Sequence, residues 1–174
     1  MGGRIAQRLA IDHPTRVGAV VLASTTPGNL HGVRRPAEVD AAMRSLSDPE
    51  ERVRFALEAM FTPAFETAHP DVLARIRRHL LESLLPPNLS RLHYLASEGH
   101  EAWDELPRIT APVLVTHGGD DSLNPTANGH LLAERIPNAE LHLVGGGRHG
   151  HPIEFADETA RAVRDFLARH PLEP

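Results

Sequence analysis

Pro112-Val-Leu-Val-Thr-His-Gly-Gly-Asp-Asp-Ser-Leu-Asn-Pro125 joins a short apolar run to a glycine-rich turn that carries two carboxylates. Pro112 to Thr116 reads as a strand, and Gly118 to Pro125 as the loop that leaves its C-terminal end. Downstream, Leu131 to Ile136 has helical character and Glu140-Leu-His-Leu-Val144 is a second strand, which runs into Gly145-Gly-Gly-Arg-His149-Gly150. Glu154 to Arg169 closes the chain as an amphipathic helix, with Phe155, Ala162, Val163 and Phe166 toward the core. Upstream, Val17-Gly-Ala-Val-Val-Leu-Ala23 is a near-continuous apolar run, the pattern of a strand buried on both faces of a parallel sheet. Before it, Met1 to Ile11 reads as a helix with Ile5, Leu9 and Ile11 on its apolar face, ended by His13-Pro14.

Between these halves the pattern changes. Pro36 to Gly99 is rich in Arg, Glu, Ala and Leu, with helical spacing at Val53, Leu57, Met60 and Phe61 and at Val72, Ile76, Leu80 and Leu84. Pro49, Pro63, Pro70 and Pro86-Pro87 divide it into about four helices. The order is therefore helix, strand, helical insertion, strand, helix, strand, helix. Alternating strands and helices imply an α/β fold with a parallel sheet of three strands. The expected organisation is a core segment over residues 1–30, a helical block over 31–104 and a second core segment over 105–174.

Composition narrows the function classes. The chain has 174 residues, 41% of them hydrophobic, and a formal net charge of -5, so it has a core to bury and no basic field to attract nucleic acid. No apolar run approaches the length of a membrane span, and the first residues lack the apolar core of a signal peptide. The absence of cysteine removes disulfides and thiolate metal sites and fits a cytoplasmic location.

Three polar, glycine-bearing stretches follow the ends of elements, where open parallel sheets build their sites. They are Met1-Gly2-Gly3, Gly118 to Pro125, and Gly145 to Gly150. Taken together they resemble the α/β-hydrolase family. Its nucleophile elbow, G-x-S-x-G, often continues as M-G-G-x-I-A and then H-P-x-R-V before an apolar strand. Met1-Gly-Gly-Arg-Ile-Ala6 and His13-Pro-Thr-Arg-Val17 match that text from the residue after the serine onward. The family's acid lies in G-x-x-D-x-x-x-P, matched by Gly118 to Pro125. Its histidine lies in a glycine-rich turn after the last strand, matched by Gly146 to His149. The resemblance implies Asp121 as the triad acid, His149 as the base, and the backbone N–H of Met1 as an oxyanion-hole donor in the complete protein. It implies no cofactor. The text is most similar to the enol-lactonase and carboxylesterase-like branch, and the helical block falls where the family inserts its cap.

The residues support this on chemical grounds. Histidine titrates in the range a general base needs, and a buried carboxylate fixes its tautomer. Asp120 competes for the role of acid, but Asp121 keeps the spacing to both Gly118 and Pro125. Plainer roles are open to several residues. An Asp in a glycine-rich turn is by itself turn chemistry. His149 and His151 form an H-x-H pair without a third metal ligand at a suitable spacing, so no metal site is expected. His117 is expected to be structural or pocket-lining, Ser24 and Thr25 turn residues, and Trp103 a packing residue between helical block and sheet. Arg34, Arg35, Arg75, Arg77 and Arg78 are expected on solvated helix faces.

The expected function is that of a serine hydrolase of small esters, lactones or related acyl substrates. In that reading the chain begins one residue after the nucleophile and is inactive alone; the alternative is a non-catalytic small-molecule or partner-binding form of the fold. Its partners are a small-molecule substrate and, through an uncovered edge at Val17 to Ala23, a further copy of the chain; neither nucleic acid nor membrane is expected.

Overall fold

The computed structural model describes residues 1–171. Three parallel strands form one sheet in the order β1-β2-β3: β1 Val20–Ala23, β2 Val113–Gly118 and β3 Ala139–Val144. Val20 stands opposite Val113, and Val113 opposite Ala139, so the sheet is in register from its first rung. Helix α1 (Gly2–Asp12) leads into β1, and α7 (Ala127–Arg135) crosses from β2 to β3. Between β1 and β2 lie five helices: α2 (Ala37–Ser45), α3 (Pro49–Met60), α4 (Pro63–Ala68), α5 (Pro70–Glu82) and α6 (Pro87–Glu98). After β3 come a short helix, α8 (His151–Glu154), and then α9 (Ala156–Arg169). No helix among the described residues is long and apolar enough to cross a membrane.

Proline decides the helix count in the insertion. Pro49, Pro63, Pro70 and Pro87 each stand at the first position of a helix, where the missing N–H costs nothing and φ is already helical. They start helices rather than merely ending them, so the insertion holds five and not four. Asp48 and Thr62 cap two of these starts, accepting from the backbone N–H groups of Glu51 and Phe65.

The apolar side chains gather in two separate clusters. One is the sheet core, where Val20, Leu22, Val113 and Val115 meet Ile11 of α1, Leu132 and Ile136 around α7, and Leu106 and Ile109 before β2. The other lies inside the insertion, where Val53, Leu57 and Phe61 take Leu73, Ile76 and Leu80 of α5.

Three expectations need correction. Strand β1 is four residues long and covered on one face: Val20 and Leu22 are buried while Val21 is exposed. The 3-10 turn Pro14–Arg16 ends on Val17 as its cap, and the strand begins only at Val20. Helix α1 buries Arg4, Gln7, Ala10 and Ile11, whereas Ile5 and Leu9 are exposed. That face won because Gln7 is held by the carbonyl of Thr26 and by His100, and Arg4 by Ser97. The last helix breaks at Phe155, whose φ of -109° and ψ of 47° are not helical.

Removal of Leu22, which is fully buried at the centre of β1, should cost about 2–5 kcal/mol as Leu22→Ala. Val21→Ala, on the uncovered face of the same strand, should cost under about 1 kcal/mol. Urea unfolding followed by circular dichroism checks the pair.

Candidate active site

The site forms where the loops after β2 and β3 meet. Gly118 ends β2, and a Cβ there would stand 2.3 Å from the carbonyl oxygen of Gly147 and 2.5 Å from that of Arg148. Those are backbone atoms that cannot swing aside, so only glycine lets the two loops touch. The backbone N–H of Gly119 donates to Val144 O and that of Asp120 to Gly147 O, each at 2.9 Å. Gly146 makes the second turn at φ +70°, in the left-handed region that glycine favours.

This contact brings the two expected residues together. His149 Nδ1–H donates to Asp121 Oδ2 at 2.8 Å. That bond places the ring proton on Nδ1 and leaves the Nε2 lone pair free to take a proton. The Asp121 carboxylate is buried, while the His149 side chain is 28% exposed. Asp120 is exposed, and its recorded hydrogen bond is made by its backbone.

Every oxygen of Asp121 is engaged. Oδ1 accepts the backbone N–H groups of Leu123 and Asn124, both at 2.9 Å. Oδ2 takes His149 and lies 3.4 Å from Nε2 of His117. Burial pushes the acid's pKa up, but the hydrogen bonds from His117, His149 and Asn124 outweigh it and hold the carboxyl well below the usual carboxylate range.

Two further histidines support the pair. His117 is fully buried, and its Nε2–H donates to the carbonyl of Asn124 at 2.8 Å, so the ring proton sits on Nε2. Its Nδ1 has no hydrogen-bond partner among the described residues. His151 is also fully buried. Its Nε2 meets Thr116 Oγ1 at 2.9 Å and its Nδ1 meets Ser24 Oγ at 3.2 Å. The Ser24 hydroxyl donates to the carbonyl of His149 at 3.2 Å. The proton order that satisfies this chain is Thr116 O–H to His151 Nε2, His151 Nδ1–H to Ser24, and Ser24 O–H to His149 O. In that order the imidazole is neutral. Burial accordingly lowers the pKa of His151 to about 4. Ser24 holds this position at φ +46°, unusual for a residue with a side chain.

The base-bearing loop is also tied to the helical insertion. Arg148 donates to the carbonyl of Phe61 at 2.9 Å and to that of Glu58, groups left open at the C-terminal end of α3. The backbone N–H of Gly150 donates to Met60 O at 2.8 Å, and Glu154 accepts from the backbone and hydroxyl of Thr62. The sequence reading singled out neither Arg148 nor Glu154; an Arg beside the histidine, opposite a helix end, is the signal that was there to read.

Met1 precedes the first turn of α1 and shares a cavity of about 180 Å³ with His149, Thr25, Leu123 and Asn124. Met43, Leu46, Val53 and Leu80 of the insertion line an apolar chamber of about 230 Å³ that also reaches Leu123. Arg34 and Arg35 lie before α2 rather than on a helix, and both line a third cavity, Arg34 remaining exposed. Trp103 is half-buried against the sheet core, stacked on His31 with Arg135 over its ring. Among the described residues no group of three or more His, Asp or Glu is placed to hold a metal ion.

Three parallel strands with an acid and a histidine on adjoining loops define a class of protein, and comparison with known proteins gives the family. The family model described as serine aminopeptidase S33 matches residues 1–155, and the chain belongs to that family of α/β-hydrolases. The chain is 31% identical over 184 residues to a 2-hydroxymuconate semialdehyde hydrolase of Pseudomonas putida, covering 96% of this chain and 59% of that protein. It is 27% identical to a serine hydrolase of Mus musculus, covering 95% of this chain and 52% of the other. The crystal structure of an enol-lactonase from Burkholderia xenovorans superposes with a TM-score of 0.81 at 27% identity, covering 97% of this chain and 63% of that one. The chain thus spans about three fifths of the length of these relatives.

The neutral state of His151 makes stability depend on pH. Its ordinary pKa of 6.5 applies in the unfolded chain and about 4 in the folded one. As pH falls from 6.5 toward 4, the unfolded state binds a proton that the folded state refuses, so stability is full above 6.5 and declines across that window. The loss attributable to this group should reach about 3 kcal/mol. Asp121, whose pKa lies below the usual carboxylate range, adds its own loss at lower pH. Urea midpoints measured from pH 7.5 to 4 should fall, and His151→Gln should flatten the curve over the upper part of that range.

Proposed function

We propose that the protein containing this chain is a serine hydrolase of small esters, lactones or related acyl substrates, with Asp121 and His149 as two members of its triad. The observation that carries this reading is the 2.8 Å bond from His149 Nδ1 to a fully buried Asp121, which leaves Nε2 free beside the cavity at Met1. In this reading the residue before Met1 is the nucleophilic serine, and the backbone N–H of Met1 donates to the oxyanion. Nε2 of His149 takes the proton of the serine hydroxyl, returns it to the leaving group, and then takes one from water to release the acyl group. Asp121 stays ionised throughout and stabilises the imidazolium. The helices of residues 31–104 act as the cap, and their apolar chamber receives the acyl portion of the substrate. The chemistry needs no cofactor. A chain without cysteine and with net charge -5 suits a cytoplasmic enzyme that meets neither nucleic acid nor membrane.

The coding DNA directly before the Met1 codon is the first check; an in-frame strand ending in Gly-x-Ser supports this reading, and any other residue before Met1 overturns it. In the protein so completed, His149→Ala should lower kcat on nitrophenyl esters by at least about 10³-fold and Asp121→Asn by somewhat less, since the acid orients the base and moves no proton itself. Asp120→Asn should leave kcat within about twofold, and equal mild losses at both aspartates would point to the wrong acid. The 174-residue chain alone should show no turnover above background.

In the 174-residue chain alone, the edge of β1 that the strand before the serine would cover in the completed protein lies open to a second copy. Val20 donates to the carbonyl of Pro112, just before β2, and Ser24 to that of Thr116 in β2, so by alternation the N–H groups of Val21 and Ala23 point the other way. Val21, Ile5 and Leu9 are exposed apolar neighbours of that edge or of the helix beside it. Size-exclusion chromatography should show the 174-residue chain as a dimer or larger. Val21→Pro, which removes an outward donor at a position where an edge strand tolerates proline, should shift it toward monomer.

A further inference from the structure

The loop that carries the base has little in its own sequence to hold it. Gly145-Gly146-Gly147 leads into Arg148 and His149, and glycine restricts the backbone less than any other residue. The end of α3 supplies what that run lacks. The carbonyls of Glu58, Met60 and Phe61 stand there, past the helix's own hydrogen-bond ladder. All three are taken by the two residues that flank the base. Arg148 donates to Glu58 O and, at 2.9 Å, to Phe61 O, and the N–H of Gly150 donates to Met60 O at 2.8 Å. A Cβ on Gly150 would stand 2.7 Å from that same Met60 oxygen, so loop and helix end meet backbone to backbone. No carboxylate among the described residues lies within ion-pair distance of Arg148. Its charge meets the negative end of the α3 dipole instead. Between the two anchors, His149 lines the cavity at Met1. Helix α3 also lends Val53, Phe55 and Ala56 to the wall of the apolar chamber. One helix thus borders the chamber along its length and grips the base-bearing loop at its end.

We propose that Arg148 is a positioning residue for the general base: by closing the open carbonyls of α3 it holds His149 where its Nδ1–H meets Asp121, and so makes the base depend on the seating of the helical block. The proposal rests on the hydrolase reading for what His149 does, and not for where its ring sits. Arginine suits the task because its planar fork reaches two carbonyls at once, whereas the point charge of a lysine serves one at a time. An ion pair would tie the loop to a side chain that can itself swing. Helix-end carbonyls move only with the helix, so the loop is referred to a rigid element. Arg148 touches no reacting atom, and its loss should therefore fall on kcat rather than on KM.

The tautomers of the imidazoles test this on the 174-residue chain itself, read by heteronuclear NMR with isotope-labelled histidine at a pH where the rings are neutral. His149, assigned by the signal lost in His149→Gln, should be the Nδ1–H form, and His117, whose Nε2–H donates to Asn124, should be the Nε2–H form. In Arg148→Met, which keeps a long side chain and loses the donors, His149 should become a mixture of both forms while His117 keeps its own. Arg148→Lys should restore part of the Nδ1–H form. Gly150→Ala, which pushes the loop off Met60 and leaves the guanidinium in place, should disturb His149 as Arg148→Met does. In the completed protein, Arg148→Met should lower kcat on nitrophenyl esters by about 10²-fold with KM within about threefold, and Arg148→Lys should recover part of the loss. An unchanged His149 tautomer in both Arg148→Met and Gly150→Ala overturns the proposal. So does loss of the His117 form together with that of His149, since Arg148 would then prop the fold at large, and so does a raised KM at constant kcat, which would put Arg148 on the substrate. Hydrolysis with kcat untouched by Arg148→Met removes the positioning role and leaves the hydrolase. The tautomer change without hydrolysis by the completed protein removes the hydrolase and leaves the positioning role.

Discussion

The two loops at the C-terminal edge of the sheet approach until the carbonyls of Gly147 and Arg148 stand where a side chain of Gly118 would be. Everything at the site follows from that approach. It sets the imidazole of His149 against the carboxylate of Asp121, and it lets the backbone of Gly119 and Asp120 hydrogen-bond to the end of β3 and the turn after it. The sheet supplies the other half of the constraint: β2 and β3 pair in register through Gly118 and Val144, so the loops leave the sheet side by side. A single methyl group at residue 118 would collide with backbone and part the acid from the base.

Around that contact the protein spends buried polar groups on orientation. Asp121 has backbone donors on one oxygen and imidazoles at the other, so its charge is fixed in direction as well as in sign. Thr116, His151 and Ser24 form a linear chain of contacts that ends on the carbonyl of His149, holding the base by its own backbone. Burial of the imidazole favours its neutral form.

The glycine turns, Asp121 and His149 were legible because they are signals of residue type at a strand end, and such signals are local. Five helices in place of four, by contrast, turned on whether Pro63 and Pro70, seven residues apart, stop helices or start them; each stands at a first helical position. The buried face of α1 was misread because Ile5 and Leu9 have the better apolar period, yet Arg4 and Gln7 have partners 93 and 19 residues away that no window around α1 contains. His117 was expected as a structural or pocket-lining residue, but its contact with Asp121, and the role of His151, escaped for the same reason. The sequence offers twelve histidines, and only the fold shows which of them meet Asp121 or Ser24.

Arg148 joins two parts of the molecule that a designer would want to treat as separate modules. The loop that bears His149 is footed on the last turn of α3 through Arg148 and Gly150, and the start of α4 leans on Glu154. The insertion is thus not an interchangeable lid. A helical block transplanted from a relative would have to present an open helix end to residue 148 and a donor to residue 154, or the histidine would lose its footing. Recombination between members of the fold should therefore cut so that 58–62 and 148–154 travel together, since the compatibility of the parts resides in those few backbone carbonyls.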